Sequence, residues 1–221
     1  MPNKLFFVTG TSTGVGKTVF AALLTREYRI QGRRVAGLKP VCSGGRQDAV
    51  CLWKAASAAL KLDEVNPWHF PAALAPLLAA RQEGKRLLLR QVAGQIRTVG
   101  RGFDFLIVEG AGGLLSPIGE DFDSRDLLLE LKATPLIVSA NQLGAVNQVR
   151  LVLAALPPKP RAAAHIILMN LPRKPLASRS NPALLSEFCP AERIHVLPWL
   201  TRREMTHPPA RVRKLLQKLL K

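Results

Sequence analysis

Lys17, Thr18, Lys39, Asp48 and Glu109 are the residues of this 221-residue sequence whose types and spacing suit the handling of a phosphate chain. Lys17 and Thr18 close the run FFVTGTSTGVGKT, where Gly10, Gly14 and Gly16 separate an apolar stretch from a helical pattern. Glycines let backbone N–H groups turn onto phosphate oxygens, and a helix N-terminus adds a favourable partial charge. A lysine placed like Lys17 reaches the outer phosphates, and the Thr18 hydroxyl ligates Mg²⁺. Between Gly10 and the Gly-Lys-Thr triplet lie five residues, one more than in the usual phosphate-binding loop. Glu109 ends the apolar run FDFLIV and is followed by Gly110, Ala111, Gly112 and Gly113. An acid at a strand tip can hold Mg²⁺ or its water, and the glycines admit a close backbone. Asp48 could serve the same ion or cap a helix. Lys39, at the end of a second strand pattern, adds a cation beside the phosphate loop.

These residues need a scaffold that brings strand ends together. Short apolar runs at residues 5–8, 34–38, 103–108, 135–139, 163–169 and 194–197 read as strands. Helical spacing marks 19–29, 49–60, 77–81, 87–99, 126–132, 144–156, 182–188 and a basic amphipathic stretch at 211–220. Gly32 stops the first helix, Pro157 and Pro158 close the one before them, and the Pro-rich stretch 66–76 reads as irregular. Residues 41–45 form a loop at the carboxyl end of the second strand, the edge where open α/β sheets hold ligands. Strands without polar alternation, alternating with helices, predict a mostly parallel sheet with helices on both faces: an α/β fold of the P-loop NTPase kind. One domain over residues 1–221 is expected.

Composition narrows the partners. Lys and Arg outnumber acids to give a formal net charge of +17, with basic clusters at 81–101 and 202–221. Aromatics are only 5% of the chain and none interleaves the basic runs, so stacking platforms for nucleic acid are missing. A nucleic-acid partner is disfavoured against a solvated basic surface that suits anionic small molecules. Cys42, Cys51 and Cys189 have no C-x-x-C spacing, which fits a reducing cytoplasm. No apolar run reaches membrane-spanning length, and the first strand begins too early for a signal peptide.

Taken in order, GTSTGVGKT, KPVCSG at 39–44, Asp48, VNPWHF at 65–70, EGAGG at 109–113, QLGAVNQ at 142–148, Asn170 and Pro198-Trp199-Leu200 resemble the dethiobiotin synthetase family over nearly the whole chain. That family has the same longer phosphate loop. The resemblance implies that ATP, CO₂ (or bicarbonate) and 7,8-diaminononanoate give dethiobiotin, ADP and phosphate, with Mg²⁺ as cofactor. It implies ATP contacts from Gly14, Val15, Gly16, Lys17, Thr18 and Val19, and from Asp48, Glu109, Gly110, Ala111 and Gly112. Asn170 and Leu171 would meet the base edge, with Pro198, Trp199 and Leu200 walling it; core packing is the alternative for Trp199. Thr18, Asp48 and Glu109 would hold the ion. Lys39 would stand by the carbamate and act with Lys17 in catalysis, while Thr13 and Ser43 would touch the diamine. Gly144, Ala145, Val146 and Asn147, at a helix start in a neighbouring subunit, would bind its carboxylate, which implies a homodimer with a shared site. The chain departs from the family at Ser12, where an acid is usual, and at Leu171, which replaces the second residue of an Asn-Asp pair.

Three rivals remain. ParA- and MinD-like regulatory ATPases carry a second lysine early in the phosphate loop, whereas Thr11-Ser12-Thr13 has none. A nucleic-acid-linked ATPase would rest on the charge alone. A degenerate homologue that binds nucleotide without turnover would rest on Ser12.

Overall fold

The computed structural model describes residues 2, 4–173 and 175–219. Its centre is a sheet of six parallel strands in the order β2-β5-β1-β6-β7-β8. These are β1 (Lys4–Gly10), β2 (Val35–Leu38), β5 (Phe105–Glu109), β6 (Thr134–Ala140), β7 (His165–Met169) and β8 (Ile194–Leu197). A separate parallel pair joins β3 (Val41–Ser43) to β4 (Trp68–Phe70). The helices are α1 (Lys17–Ile30), α2 (Gln47–Ala55), α3 (Leu62–Val65), α4 (Pro76–Gln82), α5 (Leu89–Gly100), α6 (Ser124–Glu130), α7 (Ala145–Ala155), α8 (Pro158–Ala163), α9 (Ala177–Ser186), α10 (Arg202–Thr206) and α11 (Ala210–Lys218).

The strands are apolar throughout because helices cover both faces, as parallel sheets require. Phe6, Phe7, Val8, Leu106, Ile107, Val108, Leu136, Ile137 and Val138 are all within 1% of full burial. β1 pairs with β5 on one side (Val8 opposite Glu109) and with β6 on the other (Gly10 opposite Val138). The chain therefore turns outward in opposite directions on either side of the β1 carboxyl end, and such a switch point opens a crevice for ligand.

The sheet strands all stand where the apolar runs predict them, to within two residues at most ends. Several other elements differ. Val41–Ser43, expected as loop, pairs with Trp68–Phe70 from the Pro-rich stretch. The prolines at 157 and 158 do close α7, but Pro158 also opens α8, since a first-turn proline loses no helical hydrogen bond. The second helix stops at Ala55 instead of residue 60, where Ser57 and Ala58 take positive φ. α9 begins at Ala177 and contains Pro182 in its interior. The last helix ends at Lys218; residues 220 and 221, part of the expected basic helix and its tail, lie outside the described residues. α11 is tied to α1 by Arg213, whose Nε donates to buried Glu27 at 2.9 Å, and by Gln217 at 2.7 Å.

Candidate active site

The phosphate loop is built by steric exclusion. Gly14 and Gly16 have φ of 76° and 98°, a region that favours glycine. At Gly10 a Cβ would meet Val15 Cγ2 at 2.8 Å and the Ser12 carbonyl oxygen at 2.9 Å. Gly16 caps α1, so Lys17 and Thr18 occupy its first turn, two residues earlier than the apolar spacing alone predicts. Lys17 is buried, and its Nζ donates to the Ser12 carbonyl at 2.9 Å.

The strand ends then bring the other charged groups to this loop. Lys39, immediately after β2, is 4% exposed, and Glu109, ending β5, is 1% exposed. Lys39 Nζ donates to Glu109 Oε1 at 2.6 Å and to the Gly110 carbonyl at 3.2 Å, and lies 3.2 Å from Asp48 Oδ2. Thr18 Oγ1 donates to the same Glu109 Oε1 at 2.9 Å. Asn66 holds Lys39 from behind, donating to its carbonyl at 2.7 Å. Burial works to lower the Lys39 pKa, but Glu109 and Asp48 outweigh it and raise it, so the group stays charged. At Lys17 the same two carboxylates pull upward but do not make up the loss. Burial, then repulsion from Lys39, bring it down to about 8.

That value gives a pH prediction. Bound phosphates favour the charged amine and raise the Lys17 pKa. Nucleotide binding should therefore take up about three-quarters of a proton at pH 8.5 and little at pH 7, and affinity should fall as pH rises above about 8. Calorimetry in buffers of different ionisation enthalpy measures the uptake; none at pH 8.5 would contradict the assignment.

One cavity of about 730 Å³ collects these groups. Thr13, Gly14, Gly16, Lys17, Thr18 and Val19 line it from the loop and α1. Lys39, Ser43 and Asp48 line it from the second strand's carboxyl end and α2, and Glu109, Ala111 and Gly112 from the glycine run after β5. Ser43 Oγ donates to the Leu74 carbonyl at 2.6 Å. Gly110 lies beneath, where a Cβ would strike Phe7 at 2.9 Å. Val15 packs against the core instead of lining the cavity. Asn170 and Leu171, after β7, and Pro198, Trp199 and Leu200, after β8, stand outside it on the same sheet edge. Gly16 joins the two regions, since a Cβ there would come within 3.0 Å of Met169 Cε. Trp199 is 54% exposed, which excludes the core-packing alternative, whereas Leu200 is buried. Gly144 caps α7, and Ala145, Val146 and Asn147 form that helix's first turn, away from the cavity.

Sequence reasoning missed Cys42, Ser116, Pro117 and residues 73–76, all of which line the cavity. The Pro-rich character of 66–76 was the available signal, because prolines leave backbone outside regular pairing and the turn between β4 and α4 borders the cavity. A second cavity of similar size, between α1, α2 and α10, is mostly apolar and is lined by none of Lys17, Lys39, Asp48 and Glu109.

The donors fit Mg²⁺. Thr18, Asp48 and Glu109 offer hard oxygens, which Mg²⁺ prefers. Glu109 Oε2 is buried with no hydrogen-bond partner among the described residues, an acceptor still available to a cation.

A family profile described as an AAA domain matches residues 4–205. An ATP-dependent dethiobiotin synthetase of Anaeromyxobacter sp. (strain K) is 37% identical over 198 residues, covering 87% of this chain and 89% of the relative. The corresponding protein of Marinobacter nauticus is 33% identical, covering 95% and 94%. The chain belongs to the dethiobiotin synthetase family. Its activity is that of an ATP-dependent dethiobiotin synthetase, a carbon–nitrogen ligase of biotin biosynthesis that depends on ATP and Mg²⁺. Among solved structures it is similar to a ParA family ATPase of Chlorobium tepidum (TM-score 0.60, 14% identity, 98% of this chain and 99% of that one). It is also similar to the septum site-determining protein MinD of Pyrococcus horikoshii (TM-score 0.57, 15% identity, 98% and 93%). Those likenesses are of fold alone and establish the P-loop α/β architecture. As in other family members, ATP and a biotin-pathway substrate are the partners of the synthetase. No helix among the described residues is long and apolar enough to cross a membrane.

Proposed function

We propose that the cavity at the β1 carboxyl end joins 7,8-diaminononanoate, CO₂ and ATP, with the residues in the following roles. The supporting observation is that Lys17 and the Lys39, Asp48 and Glu109 cluster line one cavity of about 730 Å³, room for a triphosphate and a small diamine. The loop N–H groups and Lys17 grip the phosphates. A neutral amine of the substrate takes up CO₂ as a carbamate, losing a proton. Lys39, charged and buried, steadies the carbamate against the γ-phosphate, since two anions must approach each other. The carbamate oxygen attacks phosphorus and ADP leaves. The second amine then attacks the carbonyl carbon of the resulting carbamic–phosphoric anhydride, closing the cyclic urea and expelling phosphate. Thr18, Asp48 and Glu109 would hold Mg²⁺, which would supply positive charge to offset that of the phosphates.

Thr13 and Ser43 face the diamine. Asn170 meets the base edge beside Leu171, and Pro198, Trp199 and Leu200 wall it. The substrate carboxylate goes to the start of α7 at Gly144–Asn147 in a second copy, so the site is shared across a homodimer. Leu143 and Leu151, 86% and 63% exposed on and just before α7, are apolar surface that such a dimer would cover. Residues 1–221 act as one domain, in the cytoplasm.

The direct test mixes the purified chain with ATP, Mg²⁺, ¹³C-bicarbonate and 7,8-diaminononanoate. Labelled dethiobiotin by mass spectrometry, absent without ATP, is the expected result. No product from protein that still binds nucleotide would move the chain to a degenerate homologue.

A further inference from the structure

Asn170 stands at the tip of β7, one residue beyond the methionine that abuts Gly16, and its side-chain amide is held by a relay. Asn141 Nδ2 donates to Asn170 Oδ1 at 2.8 Å and to the Ser178 carbonyl at 3.1 Å. Asn181 Nδ2 donates to Asn141 Oδ1 at 2.9 Å and to the Gln142 carbonyl at 2.9 Å. Two of these acceptors are backbone carbonyls, which can only accept. The Gln142 carbonyl therefore fixes which end of Asn181 faces it, and the Ser178 carbonyl does the same for Asn141. With both ends of Asn141 decided, the group it meets on Asn170 must be the oxygen. Asn141 is fully buried and Asn181 nearly so, so a reversed amide would leave buried donors facing each other. The sequence supplies the anchor through Pro182. Inside α9 a proline has no N–H for the carbonyl four residues back, and that carbonyl is Ser178, which accepts from Asn141 instead.

We infer that Asn141 is a positioning residue that turns the Asn170 amide with its Nδ2 outward, so that the nucleotide base is met by a hydrogen-bond donor. The inference rests on the proposed placement of the base at Asn170. Its consequence is a specificity. Adenine and hypoxanthine share the N7 acceptor, and hypoxanthine adds a carbonyl where adenine has an amine. A donor presented outward takes either base. An acceptor presented outward takes the adenine amine and opposes the hypoxanthine carbonyl.

Calorimetric titration of the full chain with ADP and IDP in Mg²⁺ tests this without turnover. Wild-type protein should bind the two within about threefold, because each offers one acceptor to one donor. Asn141→Asp places a carboxyl group against the Ser178 carbonyl. As a neutral buried acid it donates there and keeps a lone pair toward Asn170, which then turns its Oδ1 outward. IDP should then bind at least about tenfold more weakly than ADP, the scale of one mispaired base contact. A merely structural role would weaken both nucleotides alike, and an unchanged ratio in that variant overturns the inference. So does a wild-type preference for ADP above about tenfold, a result that needs no variant to fold. Asn170→Ala separates the two levels. If it alters neither affinity, the base does not lie at Asn170 and both the placement and the relay's role fall. If it weakens ADP while Asn141→Asp leaves the ratio unchanged, only the positioning role is lost.

Discussion

Lys39→Met should bind metal-free ADP within about threefold of the parent and turn over at least about a thousandfold more slowly, the scale seen when a transition-state cation is removed from phosphoryl transfer. The phosphates are gripped by the loop after β1, which Lys39 does not form, so the ground-state nucleotide keeps its contacts. What is lost is the charge between two anions that must react. Methionine preserves the aliphatic stem and its packing. The variant also leaves Glu109 buried without its 2.6 Å counter-ion, which should cost about 3–5 kcal/mol of stability in metal-free protein. Asp48 is half exposed and adds little to that figure. Mg²⁺ with ADP should restore much of the loss, because the ion replaces the missing cation. Single-turnover rates and urea midpoints, each with and without Mg²⁺-ADP, check both parts. Undiminished turnover would remove Lys39 from the mechanism.

Glu109→Gln is expected to raise the Mg²⁺ concentration for half-maximal rate at least about tenfold and to cut turnover by about a hundredfold or more, as loss of a metal-holding carboxylate does. Both Thr18 and Lys39 donate to its Oε1, and glutamine can keep that acceptor. The other oxygen is the buried, unpartnered one, and an amide nitrogen there cannot ligate a cation. Combining the two substitutions makes the test sharper. The double variant carries neither buried charge of the pair, so its stability should recover above that of Lys39→Met, while its rate stays low. Stability losses that simply add would mean that the two groups do not share one ion pair. An unaltered Mg²⁺ dependence in Glu109→Gln would take that carboxylate out of the ion's shell.

Much of this arrangement was legible because parallel strands buried on both faces leave long apolar runs, and acids or lysines at their ends stand out. Glu109 and Lys39 were visible for that reason, and Gly14 and Gly16 because only glycine fits their backbone. What stayed hidden depends on contacts distant in sequence. The pairing of Val41–Ser43 with Trp68–Phe70 uses strands of three residues, too short for any period to show. Asn66 carries no local sign that it holds Lys39 in place. The amides of Asn141 and Asn181, both in segments that read as ordinary loop and helix start, acquire meaning only when β6, β7 and α9 are side by side. Five of the scarce acids, Glu120, Asp121, Asp123, Asp126 and Glu130, turn out to be structural. They pair with Arg81 and Arg97, receive the Leu89 N–H and cap α6.

The strand order has a consequence for how the chain is made. β1 leaves the ribosome well before β5 and β6 but lies between them, and their register partners for Lys4 and Gly10 are Phe105 and Val138. At about 5–20 residues per second, translation leaves this apolar strand without either neighbour for roughly 5–20 s. Over that interval its backbone N–H and C=O groups face water or whatever strand comes near, and the glycine loop behind it has no rigid base. A nascent chain can therefore neither grip nucleotide nor hide β1 until Val138 has been translated, and that window is when a chaperone would matter most to its yield.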